Sequence, residues 1–318
     1  MTEAIAFDFA SKSERQVAPA EIPACLASGL YCWVDVDTSD GEAARRLLNT
    51  LRVDERIIGE VLGPEQDGRY DQHKDCLHFE VTEALVVAGR LVTPHVTVLL
   101  GERFMATLHH EPVECLAHMR RVYREDFLHF SKSPGFLAYE LADGLLQVYR
   151  KSLRLLSADV EAIQLQLFGE TDDAIFRRVF ELTRDLLTLR KVMMAARELL
   201  HELAMRRSVF IPESTQPFLE TMAVSLERLY DDLSAERDVL SESLNLYMGM
   251  VSHRTNKVLN RLMVISVLFL PLTFLTGVYG MNLRIPETTW KYGYLLFWCL
   301  AAGIFLTLIT LMKRRRWL

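Results

Sequence analysis

The stretch that decides the architecture is LMVISVLFLPLTFLTGVYGMN, residues 262–282, which carries no formally charged side chain. A second uncharged run, YGYLLFWCLAAGIFLTLITLM, follows at 292–312. Each run has 21 residues, and about 20 apolar residues in a helix cross the hydrocarbon core of a bilayer. The sequence therefore predicts two transmembrane helices, joined by an external loop at 283–291.

Basic residues flank the outer ends of this helical pair. Arg254, Lys257 and Arg261 precede the first run, and the segment 313–318 begins with four consecutive basic residues. Lys and Arg are enriched in cytoplasmic flanks, so both termini should be cytoplasmic and 313–318 should form a basic cytosolic tail. The N-terminus lacks the basic start and apolar core of a secretory signal. We expect a multi-pass protein of the cell inner (plasma) membrane.

Composition and motifs disfavour several other classes of protein. The 318 residues have a net charge of −6, which disfavours nucleic acid as a partner. The five cysteines contain no CxxC pair, which disfavours a disulfide framework or a zinc knuckle. No GxxxxGK[ST], GxSxG or HExxH motif occurs, so no enzymatic activity is predicted.

Histidines are concentrated in one part of the chain, since seven of the nine lie between His73 and His129. A zinc or cobalt sensing site is the minority interpretation of this pattern. His109 and His110 would point to opposite faces of a strand and could not chelate one ion together. No residue is assigned as a metal ligand from the sequence.

The region before the membrane changes pattern near Pro134. Residues 1–134 alternate short strand and helix patterns and predict a cytosolic α/β domain with a mixed or antiparallel sheet. Residues 135–215 predict a cytosolic helical hairpin. Strands are expected at Leu30–Val36, Arg69–His73, Leu77–Val87, Pro94–Leu100 and Phe104–His109, and short helices at Asp40–Thr50, Asp54–Leu62 and Glu114–Arg124. The fold class is thus an α+β cytosolic domain followed by long helices.

Residues 216–282 predict one helix, a stem that continues into the first membrane span. About 60 helical residues extend about 90 Å and are not stable alone in water, so the stem should pack against neighbours or other subunits. We expect no partner for it within one chain. Its cytosolic part holds seven acids against two arginines, which indicates either a solvated face or a cation-attracting surface. The acids are Glu220, Glu227, Asp231, Asp232, Glu236, Asp238 and Glu242.

A polar seam follows the stem and the first span. Alternate steps of four and three residues from Ser252 select Asn256, Leu259, Met263, Ser266, Leu270, Thr273, Gly277 and Gly280. This spacing is typical of helices wrapped around a common axis, and polar groups at membrane depth favour a water-filled path between them. Ordinary small-residue helix packing is the alternative. Neither span contains a carboxylate, so hydroxyl and amide oxygens would suit a cation that keeps its water shell, as Mg²⁺ does.

The end of the first span resembles a known family. Tyr279–Asn282 reads YGMN, which is similar to the signature of the CorA magnesium and cobalt transporters. NKVL at 256–259 and PLT at 271–273 precede it at the family's spacing, and Pro286-Glu287, Trp290 and YGY at 292–294 follow it. The resemblance is close from about Thr183 to Leu318 and only architectural before that.

The resemblance implies a funnel-shaped homopentamer in which each subunit contributes one pore helix. It implies a selectivity filter of Gly280, Met281 and Asn282, and an external loop that carries Glu287. The implied pore-lining residues are Asn256 as inner polar ring, Leu259, Leu262 and Leu270 as hydrophobic gate, and Thr273 as polar constriction. The seam spacing adds Met263, Ser266 and Gly277 to the expected pore lining. The implied cargo is hydrated Mg²⁺, with Co²⁺ or Ni²⁺ as further passengers and no resident cofactor.

Two residues depart from the family's pattern. Arg284 stands where better known members have an acid, and Asn245 stands where the stem acid of the regulatory metal site is expected. Met281 argues against the zinc-transporting branch. Three interpretations therefore stand: a Mg²⁺ channel, a Zn²⁺ transporter of the same superfamily, and a membrane-anchored regulatory or scaffold oligomer with little transport activity.

Overall fold

The computed structural model describes residues 3–63, 70–129, 131, 133–167, 174–205, 208–281 and 290–315. It divides into two compact units, Met1–Ser241 and Glu242–Leu318. Asn282 and Glu287, two residues of the expected outer filter and loop, lie outside the described residues.

The first unit is built on a mixed seven-stranded sheet with the order β2-β1-β3-β9-β8-β5-β4. Neighbouring strands pair antiparallel except β3 and β9, which are parallel. A separate hairpin contains β6 and β7. The strands are β1 (Glu3–Asp8), β2 (Ser13–Val17), β3 (Tyr31–Asp37), β4 (Tyr70–Gln72), β5 (Cys76–Thr82), β6 (Leu85–Val87), β7 (Arg90–Val92), β8 (His95–Gly101) and β9 (Phe104–His109).

The predicted extent of one strand was wrong. The run 77–87 was expected to be continuous, but β5 ends at Thr82 and β6 begins at Leu85. Glu83 donates its backbone N–H to the carbonyl oxygen of Pro94 at 2.8 Å. Proline has no N–H to return that bond, so the β5–β8 ladder stops there.

Three short helices cover one face of the sheet: α1 (Ile22–Ala27), α2 (Gly41–Thr50) and α3 (Glu55–Val61). The carboxylates of Asp40 and Asp54 cap α2 and α3 by accepting backbone N–H bonds at 3.0 and 2.8 Å. Alternate residues of β3, among them Cys32 and Val34, face this layer and are fully buried.

The other face is covered by α4 (Glu114–His129) and α5 (Gly135–Leu167), and α6 (Ala174–Met205) packs along α5. Asp35 of β3 forms an ion pair with Arg120 of α4. Tyr149 of α5 donates its hydroxyl proton to the carbonyl oxygen of Thr82 at 2.6 Å, and Ser152 donates to that of Ala84 at 2.7 Å. These buried bonds fix α5 against the end of β5.

The long helix α7 (Gln216–Tyr279) is shared between the two units, and its residues up to Ser241 belong to the first unit. Leucines at strict seven-residue spacing are buried there: Leu219, Leu226, Leu233 and Leu240. Arg190 of α6 donates to the hydroxyl of Tyr230 at 2.9 Å, and the Tyr139 and Phe218 rings lie 5.9 Å apart. The expectation that the stem has no partner within its own chain is therefore wrong for its first part.

The second unit contains the rest of α7 and α8 (Gly293–Arg314). Both helices are long and apolar enough to cross a membrane, and their apolar segments are almost entirely exposed. A soluble protein would bury such segments in its core, so this exposure fits lipid contact.

Candidate ion-conduction site

One face of α7 in the second unit packs against α8. The Tyr279 and Phe297 ring centroids lie 5.3 Å apart, and Leu272 lines a small pocket together with Trp298 and Ala301. The half-buried positions recur every three or four residues, as one helix face requires. They are Val264, Val267, Leu268, Pro271, Leu272, Leu275 and Tyr279.

The predicted seam lies on the opposite face. With 3.6 residues per turn, its centre is about 180° around the helix from the face that packs against α8. Leu270 of the seam is 71% exposed, whereas Leu272 is half-buried. Every seam residue is exposed, and so is Leu262 of the expected gate; the seam residues are Asn256, Leu259, Met263, Ser266, Leu270, Thr273, Gly277 and Gly280. Hence α8 leaves the whole seam uncovered.

Polarity separates the seam from its flanks, which are exposed as well. The flanking positions Ile265, Phe269 and Phe274 are apolar and suit lipid tails. Thr276 is the exception, since it is exposed and off the seam, but its hydroxyl donates to the carbonyl oxygen of Thr273 within the helix. The seam instead carries a hydroxyl or an amide at Asn256, Ser266 and Thr273. A lipid-facing surface would gain nothing from these polar groups, because hydrocarbon offers them no partners.

Thr273 is arranged as an acceptor. Its Oγ1 donates its single proton to the carbonyl oxygen of Phe269 at 2.9 Å. The remaining lone pairs of Oγ1 can only accept hydrogen bonds. The water molecules of a hydrated cation present protons outward, so this geometry suits a cation that keeps its water shell.

The C-terminal end of α7 closes in a tight turn. Gly280 donates its N–H to the carbonyl oxygen of Thr276 at 2.8 Å, and Met281 donates to that of Val278 at 3.4 Å. A Cβ at Gly280 would lie 3.1 Å from the Thr276 oxygen, so a side chain there would be crowded. Met281 is 53% exposed. Gly280 and Met281 thus lie at the end of the seam, where the family resemblance implies the filter.

Asn245 lies near the start of the second unit, on an exposed groove along α7. The groove is lined by Glu242, Asn245, Leu246, Gly249, Met250, His253 and Arg254. Its single carboxylate, Glu242, shares the groove with the cationic Arg254. This lining offers a Mg²⁺ ion few oxygen ligands and little net negative charge.

Two clusters of ionisable side chains in the first unit were not identified from the sequence. Glu140 of α5 is buried beside Asp126 of α4, at a cavity of about 610 Å³. Glu60, Asp71, His73 and His78 converge at the edge of the sheet. Glu140 sits among the apolar positions of α5, such as Leu137 and Leu141, and that placement is the one signal that could have indicated its burial.

Comparison with known proteins settles the family. The model of the CorA-like Mg²⁺ transporter protein family matches residues 28–316. The chain belongs to this family. The complete structure of the CorA magnesium transporter from Methanocaldococcus jannaschii has the same fold, with a TM-score of 0.84 at 16% identity over 100% of this chain and 99% of that chain.

Named relatives of this CorA-like protein carry different ions. The Cobalt/magnesium transport protein CorA of Thermotoga maritima is 29% identical over 188 residues, 59% of this chain and 54% of that protein. The Zinc transport protein ZntB of Yersinia pseudotuberculosis is 24% identical over 308 residues, 90% of this chain and 88% of that protein. The sequence resemblance to CorA is confirmed, and the protein is a divalent metal-ion transporter with two candidate transmembrane helices.

Proposed function

We propose that this protein conducts hydrated Mg²⁺ down its electrochemical gradient, through a central pore lined by the seam face of α7 in a homopentamer. The observation that carries the proposal is the exposed polar seam on the face of α7 opposite α8. Polar groups at membrane depth need protein or water around them. Copies of α7 arranged around one axis supply both.

The proposed roles follow the order of residues along the helix. Asn256 forms the inner polar ring, and the leucines at 259, 262 and 270 form a hydrophobic gate that closes by excluding water. Thr273 forms a ring of acceptors for the ion's water molecules. Gly280 and Met281, with Asn282 beyond them, form the outer filter, where the amide oxygen of Asn282 accepts hydrogen bonds from a hydrated ion.

The membrane potential is the proposed driving force. Both termini are cytoplasmic in the proposed topology, so an interior-negative potential draws cations inward. Two charges that cross about 100 mV gain roughly 4.6 kcal/mol. That is sufficient for uptake without ATP.

A matched pair of threonine variants tests the pore face. Thr273 lies on the seam, whereas Thr276 donates to the Thr273 carbonyl oxygen at 2.9 Å and borders the pocket shared with α8. In a homopentamer Thr273→Val removes the whole ring of acceptors, and loss of even one acceptor interaction, about 1.4 kcal/mol, slows flux about tenfold. We expect Thr273→Val to slow Mg²⁺ uptake into liposomes by at least that factor and Thr276→Val to leave it near wild type. Equal effects, or the reverse order, would contradict the assignment of the pore face.

Zn²⁺ is the second candidate cargo, because the zinc transporter ZntB matches 90% of this chain. Met281 and the absence of carboxylates from the described part of both spans favour a hydrated, weakly held ion over Zn²⁺, which binds protein ligands directly. Parallel uptake of ²⁸Mg²⁺ and ⁶⁵Zn²⁺ in the same vesicles decides between them. Faster Zn²⁺ uptake, especially with an imposed proton gradient, would assign the protein to zinc transport.

A further inference from the structure

We propose that the first unit carries a transition-metal site formed by Glu60, Asp71, His73 and His78, with Zn²⁺ as the preferred ion. Each of these residues offers one ligand atom, and the four atoms all lie within 4.8 Å of one another. The site belongs to the first unit, whereas the candidate pore belongs to the second. The proposal is therefore independent of transport.

Strand pairing brings three of the ligands together. Asp71 of β4 and His78 of β5 are direct partners in the antiparallel register, so their side chains share one face of the sheet. His73 follows Asp71 by two residues, and its N–H donates to the carbonyl oxygen of Cys76 at 2.9 Å to close the turn. The His73 and His78 rings lie 6.3 Å apart and nearly parallel, at 22°.

The fourth ligand comes from the helical layer on that face. Glu60 lies in the last turn of α3, 11 residues before Asp71 along the chain. Its Oε1 also accepts from Arg56 Nε at 3.3 Å, but the Arg56 side chain is 86% exposed. Such solvent-exposed i,i+4 pairs contribute only about 0.3–0.5 kcal/mol, so the pair does not prevent Glu60 from binding a metal.

Burial supports a ligand at this place. His78 is completely buried, and His73 Nε2 is a buried atom without a hydrogen-bond partner in the described part of the chain. A buried polar atom without a partner costs about 1–3 kcal/mol. A metal ion bound through Nε2 would satisfy this nitrogen directly.

The donor set selects the class of ion. Two imidazole nitrogens and two carboxylate oxygens suit Zn²⁺, Co²⁺ or Ni²⁺, whereas Mg²⁺ prefers oxygen donors and its own water. The centre of a regular tetrahedron with 4.8 Å edges lies about 2.9 Å from each corner, and Zn²⁺ bonds to nitrogen and oxygen are about 2.0–2.2 Å. Each donor would therefore move inward by less than about 1 Å, which side-chain rotation can provide.

Equilibrium dialysis of the tag-free, full-length protein in detergent tests the site. Zn²⁺ is the probe, and millimolar Mg²⁺ is present throughout to occupy sites that select oxygen ligands. We expect one tightly bound Zn²⁺ per wild-type chain. Mutation of a residue that only hydrogen-bonds to a metal ligand weakens metal affinity about 10–100-fold. Loss of a direct ligand in His73→Gln or Asp71→Asn should therefore weaken Zn²⁺ binding at least about 100-fold.

The matched control is His110→Gln, which changes an exposed histidine of the same unit and should bind Zn²⁺ as wild type does. Circular dichroism checks that each variant is folded, and Asp71→Asn replaces His73→Gln if the latter is not. Equal Zn²⁺ binding by wild type and a folded ligand variant would overturn the site, as would the absence of tight binding by wild type. Failure of Mg²⁺ transport with these binding results intact would refute the pore and leave the metal site standing.

Discussion

Glu140 gives the first unit a distinctive dependence of stability on pH. Its side chain extends from α5 beside Asp126 of α4 and the residue is only 2% exposed. Burial, and then hydrogen bonding to Asp126, raise the pKa of Glu140 to about 8. At neutral pH the folded protein therefore keeps this carboxyl protonated, so that it can donate a hydrogen bond to Asp126.

The sign of the effect follows from proton linkage. In the unfolded chain Glu140 has its ordinary pKa of 4.5, so between pH 4.5 and about 8 the folded chain binds more protons than the unfolded chain. The stability contributed by this group is fully present below pH 4.5 and is lost as pH rises towards 8. At 1.36 kcal/mol per pKa unit the upper limit is about 5 kcal/mol. Access of water to the adjoining cavity of about 610 Å³ would reduce it to roughly half.

Glu140→Gln tests this reasoning, because glutamine keeps the shape and a hydrogen-bond donor but does not titrate. We expect wild type to lose about 2 kcal/mol of unfolding free energy between pH 5.5 and 8.5 relative to the variant. Chemical unfolding of the detergent-solubilised protein, followed by circular dichroism at both pH values, measures the difference. Glu125→Gln on α4 changes an exposed acid and serves as control. Parallel pH profiles for wild type and Glu140→Gln would refute a raised pKa.

Three further predictions concern the filter, helix packing and topology. Asn282→Leu should abolish Mg²⁺ uptake because leucine offers no acceptor to a hydrated ion, while native mass spectrometry still finds the pentamer; wild-type uptake would exclude this filter. Gly144→Ala should destabilise the protein by about 1–3 kcal/mol and lower its melting temperature, because the added Cβ would lie 2.8 Å from the carbonyl oxygen of Cys115. The control Gly249→Ala adds a Cβ that meets nothing within 4 Å and should not lower the melting temperature. The cysteine introduced by Thr288→Cys should react with an impermeant thiol reagent from outside the cell. Labelling only from the cytoplasm would contradict the proposed topology.

The membrane region was predictable from the sequence because its signals are local and periodic. Two uncharged runs mark the spans, and a 3.5-residue repeat marks the seam from Asn256 to Gly280. Helix geometry alone then places these residues on one face. The structure adds that this face lies opposite the contact between Tyr279 and Phe297, which the repeat could not reveal.

Much of the first unit was less accessible because its contacts join distant parts of the chain. The strands β1 and β2 were not predicted. SERQV at 13–17, which forms β2, is mostly polar, and β1 is placed in the sheet by pairing with β3, which lies far along the chain. The metal cluster combines Glu60 from a helix with ligands from a hairpin, a contact that sequence spacing does not show. Of the seven histidines between His73 and His129, only His73 and His78 belong to the cluster. The buried leucines at seven-residue spacing from Leu219 were readable, but the acidic residues around them directed the interpretation towards solvent and other subunits.

Ion flux in vesicles of defined potential tests the central claim most directly. Purified wild-type protein in liposomes with an interior-negative potential of about 100 mV should accumulate Mg²⁺ without ATP, towards a limit on the order of 10³-fold. The initial rate should rise as the potential becomes more negative, and Zn²⁺ should enter more slowly. An intact oligomer that moves no Mg²⁺ under this potential, or that moves only Zn²⁺, would contradict the account.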